Sequence, residues 1–124
     1  MGKGNKQIHI IRIDLLDLQV IEQILAVYAQ GVRSVPLLLP RRDAYLSQIN
    51  ALRERIAILR MEPVRSAIPE FPLSLSELDL IDCAFTVFRD AVRSCVPPSK
   101  ERVVLLRGCR RLRAYILSGV PLYD

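Results

Sequence analysis

Six cations crowd one stretch near the end of this chain: Lys100, Arg102, Arg107, Arg110, Arg111 and Arg113. Set along a helix, such a row can neutralise successive phosphates and give sequence-independent, salt-sensitive binding to a polyanion. Tyr115 is the only aromatic near them, so the stacking platform that single-strand binders add to charge is missing. There is no helix-turn-helix signature either, because the turns carry proline. A structural reading competes with the polyanion one. Arg42 and Arg53, like Arg102 and Arg113, are eleven residues apart, close to three helical turns, and so share a face that can border a helix seam and bond to carboxylates across it. An anionic membrane is a third target for an amphipathic basic helix, but its apolar face (Val103, Val104, Leu105, Leu106, Leu112 and Ile116) is needed for a core.

Other reactive residue types form no catalytic constellation. His9 is the single histidine and stands among isoleucines, which suits a surface or edge position better than a general base. Asp14, Asp17, Glu22, Glu77, Asp79 and Asp82 offer carboxylates at helical spacing, but the Glu-x-x-His pattern of a di-metal bundle is absent. The glycines are scattered and form no phosphate loop. Cys83, Cys95 and Cys109 are odd in number, and Cys95 and Cys109 stand where repeat comparison places Val35 and Ile49. They read as buried free thiols of a reducing, cytoplasmic compartment. The expectation is a chain with no cofactor and no metal that is not an enzyme.

These residues must be carried by a folded scaffold. The chain has 124 residues, 51% hydrophobic and 25% charged, with a net charge of +5, which fits one domain with a continuous core and allows an acidic partner. Apolar runs such as Val35 to Leu39 are far shorter than the roughly 18 residues of a membrane span. The first twelve residues show no secretory pattern.

The scaffold is announced by an internal repeat. Residues 13–56 align with 73–116 at a constant offset of 60, with identities that include Leu18/Leu78, Ile21/Ile81, Val27/Val87, Arg33/Arg93, Arg53/Arg113 and Ile56/Ile116. A period of this length defines one supersecondary unit per copy. Leu18, Ile21, Leu25, Tyr28, Val32 and Val35, and their counterparts Leu78, Ile81, Phe85, Phe88, Val92 and Cys95, follow helical steps. A flanking stripe, Val20, Ile24 and Val27 in one copy and Leu80, Ala84 and Val87 in the other, widens the apolar arc. The second helix of each copy is narrower, with Ile49, Leu52 and Ile56 matching Cys109, Leu112 and Ile116. Asp14, Ser74 (with Glu77 completing a capping box) and Ser99 stand as N-caps. Turns are expected at 36–40 and 96–99.

The reading is therefore an all-α, pseudo-two-fold four-helix bundle in a single domain. It divides into an arm (1–13), a first hairpin (14–60), a proline-bearing connector (61–73) and a second hairpin (74–119). The β-branched segment Gln7 to Ile13 either lies as an extended arm across the helices or pairs with its copy in a second chain. Each first helix is acidic and each second helix basic, the last one most of all. The expected function is a non-catalytic protein-interaction or regulatory module acting as a homodimer, with Val20, Ile24, Val27, Leu80, Ala84 and Val87 as the interface. A nucleic-acid binder using the basic last helix is the alternative.

Overall fold

A computed structural model describes residues 8–34, 39–61 and 68–118. It is mostly helical, with four helices and one short two-stranded antiparallel sheet. The order is β1 (Ile8–Arg12), α1 (Leu15–Arg33), α2 (Leu39–Met61), β2 (Glu70–Ser74), α3 (Leu75–Cys95) and α4 (Lys100–Ser118).

The helix starts follow from local chemistry. Asp14 caps α1 by accepting the Asp17 N–H at 2.8 Å. Ser74 and Glu77 close a reciprocal box on α3: Ser74 Oγ accepts the Glu77 N–H at 3.2 Å, and Glu77 Oε1 accepts the Ser74 N–H at 2.9 Å. Ser99 Oγ accepts the Arg102 N–H at 3.1 Å at the start of α4. Each cap satisfies donors that the first helical turn leaves unpaired. α2 begins earlier than the turn at 36–40 implied, with Pro40 inside its first turn, where a missing N–H costs nothing. Residues 36–38 of that turn, Val35 of the first apolar face, 62–67 of the connector, 1–7 of the arm and 119 lie outside the described residues.

The N-terminal segment is a short strand, but its pairing corrects the sequence reading. It does not lie as an arm across the helices, and the strand it is paired with belongs to the same chain. It pairs with residues 70–74, part of the segment read as connector, with Ile11 opposite Phe71 and Ile8 opposite Ser74. Pairing is favoured because Ile11, Ile13, Phe71 and Leu73 all turn inward and are buried, so the ribbon closes one end of the helical core. A lone strand would have left those side chains and its backbone groups in water.

Two seams and one central contact organise the helices. α2 packs back along α1, and α4 along α3, while α1 and α3 also pack on each other. Leu18, Ile21, Ile24, Leu25 and Ala29 of α1, and Leu78, Leu80, Ile81, Ala84, Phe85 and Val92 of α3, are buried, against three residues each for α2 and α4. The Tyr28 hydroxyl meets the Cys83 thiol, and Gly31 lies against Val87, so α1 and α3 leave the ribbon side by side in the same sense. No helix among the described residues is long and apolar enough to cross a membrane.

Candidate functional site

The apolar stripe expected to form a dimer interface lies largely inside the chain. Ile24, Leu80 and Ala84 are buried, Val20 is half-buried against the core, and only Val27 and Val87 reach 36% exposure. The wide arc is explained by two neighbours within one chain: each first helix packs on its own hairpin partner and on the other first helix. Burial against the second neighbour removes most of that stripe from any partner.

The duplicated arginines border the seams as the structural reading expected. Arg53 of α2 binds Glu22 of α1, with Nη2 to Oε2 at 2.9 Å, and Arg113 of α4 binds Asp82 of α3. The two pairs occupy corresponding positions of the repeat. Arg42 reaches the Arg33 carbonyl at 3.5 Å, and Arg102 the Val96 carbonyl at 3.2 Å, each at the C-terminal end of the preceding helix. Of the six candidate polyanion-binding residues, Arg102 and Arg113 are thus engaged, whereas Lys100, Arg107, Arg110 and Arg111 are exposed.

Sequence reasoning missed what the second helices do to the ribbon. Arg55 of α2 binds Glu77, donates to the Pro72 carbonyl of β2, and lies with its guanidinium carbon 5.0 Å from the Phe71 ring centroid. At the corresponding position of α4, the Tyr115 hydroxyl accepts the Arg12 N–H at 2.9 Å and donates to the Arg12 carbonyl at 2.7 Å. Each second helix therefore fastens the strand of the other copy. Burial pushes the Glu77 carboxyl up, but the Ser74 N–H, Arg55 and the Ser74 hydroxyl outweigh it and hold the group below its ordinary range.

The ladder phase decides which ribbon edge is open. The Ile13 N–H donates to the Pro69 carbonyl at 3.2 Å, so residues 9, 11 and 13 point their backbone groups at β2, and residues 8, 10 and 12 point theirs outward. On the β2 edge, Pro72 has no N–H, its carbonyl takes Arg55, and the Ser74 N–H takes Glu77. On the β1 edge, Tyr115 occupies Arg12. Ile8 and Ile10 keep outward backbone groups, with side chains 53% and 62% exposed.

The cysteines separate. Cys109 is buried, but Cys83 and Cys95 are exposed, which corrects the expectation of three buried thiols; all three are free. Cys95 ends α3, and Cys83 lies at the exposed rim of the α1–α3 contact, where its thiol meets the Tyr28 hydroxyl. Burial raises the Cys109 thiol, and burial together with Asp79 and Asp82 raises that of Cys83, which lowers the thiolate fraction a nucleophile needs. His9 is exposed on β1. Among the described residues, no group of three or more His, Cys, Asp or Glu side chains is placed to hold a metal.

A cleft of about 150 Å³ lies between α3 and α4, lined by Phe85, Leu106 and Cys109 and by Arg89, Arg93, Arg110 and Arg113. No protein-family model matches the sequence, and neither the curated proteins nor the solved structures provide a match.

Proposed function

We propose that the protein is a non-catalytic interaction module, built as two hairpins about an approximate two-fold axis through the Ile11–Phe71 pair, that acts as a homodimer in a reducing, cytoplasmic compartment. The dimer contact is the open edge of β1 rather than the helical stripe. The observation that carries this reading is the contrast between the ribbon's edges: β2 is blocked by Pro72, Arg55 and Glu77, whereas among the described residues nothing takes the outward backbone groups of Ile8 and Ile10, which stand among exposed β-branched side chains. Such an edge is a template for another strand.

A second copy fits it best. Antiparallel pairing of β1 with β1 about His9 sets Ile8 against Ile10 twice, so the same residues supply both sides of a closed two-fold contact. The approximate axis within the chain is supported by burial at both members of Ile11/Phe71, Ile13/Leu73, Leu25/Phe85 and Ile56/Ile116.

Sedimentation at micromolar concentration should give twice the 14.1 kDa chain mass, and Ile10→Lys should return it to monomer with helical content unchanged, since a charge on an edge strand opposes pairing. A wild-type chain that sediments only as monomer would overturn the proposal. The rival, nucleic-acid binding through Lys100, Arg107, Arg110 and Arg111, is favoured by their common exposure. It requires duplex or single-stranded nucleic acid to bind at low salt and to be released as salt rises.

A further inference from the structure

The cleft between α3 and α4 departs from its counterpart in the first hairpin at the positions that matter for a ligand. Its lining residues Phe85, Arg89, Arg93, Cys109, Arg110 and Arg113 correspond at the repeat offset to Leu25, Ala29, Arg33, Ile49, Asn50 and Arg53. Two of the four arginines, Arg89 and Arg110, therefore have no counterpart in the first hairpin. In the same place the smaller Cys109 stands where the first hairpin has Ile49, and the partly exposed Arg89 where it has the fully buried Ala29. The cleft thus has both less side chain at its base and more charge at its rim than the matching positions.

Structural roles account for only part of this set. Arg113 is held by Asp82, and Arg89 uses its Nε on the neighbouring Asp90 at 3.3 Å, leaving its terminal nitrogens available. Arg93 sits in the last turn of α3, where the helix dipole favours a cation. Arg110 has no such reason, and neither Arg93 nor Arg110 makes an ion pair or hydrogen bond among the described residues. With Arg113 and Arg89 each beside a carboxylate, the charge left over at the concavity is that of Arg93 and Arg110, and it gives the cleft a positive potential that a bound anion would offset. The base of the cleft is apolar, with Phe85 and Cys109 only 3% and 8% exposed.

We propose that this cleft binds a phosphate monoester, its phosphate among Arg89, Arg93 and Arg110 and the first apolar atoms of its carrier over Phe85, Leu106 and Cys109. A phosphate is chosen over a carboxylate because its three terminal oxygens can accept from several guanidinium forks on two helices, whereas one fork satisfies a carboxylate. The volume suits this: about 150 Å³ is roughly five times the space of one water in the liquid, enough for a phosphate group and the first atoms attached to it. The inference rests on the cleft alone and is independent of the strand-edge dimer.

The test is an amide and arginine Nε–H NMR titration of the full chain at low ionic strength, with phenyl phosphate, inorganic phosphate and benzoate as probes. Phenyl phosphate should shift α3 and α4 resonances saturably and bind more tightly than the other two. Arg89→Ala and Arg110→Asn, which restore the first-copy residues, should each weaken it about tenfold or more, the scale of a lost charged hydrogen bond. Cys109→Ile, which refills the base as in the first hairpin, should abolish binding while leaving the melting temperature equal or higher, so that loss of binding is separated from loss of fold. The proposal is overturned by the absence of saturation up to about 10 mM, an affinity too weak to be specific. Equal binding by Cys109→Ile and Arg110→Asn, or benzoate binding as tightly as phenyl phosphate, would overturn it as well.

Discussion

The two helix seams come from matching sequence but are finished differently. Between α1 and α2, Ile49, Leu25 and Ala29 are each fully buried, and Arg53 closes the border on Glu22. Between α3 and α4, Arg113 closes the same border on Asp82, but Cys109 replaces the isoleucine, Arg89 replaces the alanine, and a cleft remains. Matching positions in the two hairpins are thus buried alike at Leu25 and Phe85, while the α3–α4 seam carries a cleft edged by arginines.

That contrast breaks down if the seams respond alike to truncation. Ile49→Ala should cost about 2 to 5 kcal/mol, because it removes a wholly buried branched side chain and leaves a void. Cys109→Ala, beside space that already exists, should cost about 1 kcal/mol, the scale of one buried methylene. Chemical denaturation of both variants gives the comparison, and equal losses would mean that the α3–α4 seam is packed as tightly as its counterpart.

A smaller effect tests what the seams share. Arg53→Ala and Arg113→Ala should each lower stability by only about 0.2 to 1 kcal/mol, since both arginines keep roughly a third of their side-chain surface in water. Added salt should shrink both losses. A loss several times larger in one variant would show that its pair is part of a wider network.

The smallest effect separates the copies by pH. Glu77 is held below its ordinary range in the folded chain, so its contribution is present above the unfolded value of about 4.3 and is lost as pH falls through the folded value. The position corresponding to Arg55 is Tyr115, which binds backbone instead of a carboxylate. Removing the carboxylate by Glu77→Gln should therefore flatten the stability profile below about pH 5 by a measurable fraction. A profile unchanged by Glu77→Gln would mean that Arg55 serves Pro72 and Phe71 rather than the carboxylate.

Much of the scaffold is legible in the sequence. The core faces of the helices, the caps at Asp14, Ser74 and Ser99, and the arginine bridges across each seam follow from spacings of three, four and sixty residues. These are local or duplicated patterns, and a helix expresses them wherever it lies. The cleft is less legible: Arg110 and Arg113 belong to the basic row, but Arg89 and Arg93 belong to an acidic helix, where Arg93 is marked only by its match to Arg33 and Arg89 by nothing.

What the sequence by itself determined is the set of helices and their apolar faces, because helical periodicity and capping act over a single turn. Tertiary structure alone decided that Ile8–Arg12 pairs with Glu70–Ser74, that Ile24, Leu80 and Ala84 are buried within the chain as α1 packs on α3, and that Arg55 and Tyr115 each fasten the strand that leads the other hairpin. Those outcomes join residues some 17 to 103 positions apart. Which of several apolar surfaces meets which is settled by the whole core closing at once, and no local spacing encodes it.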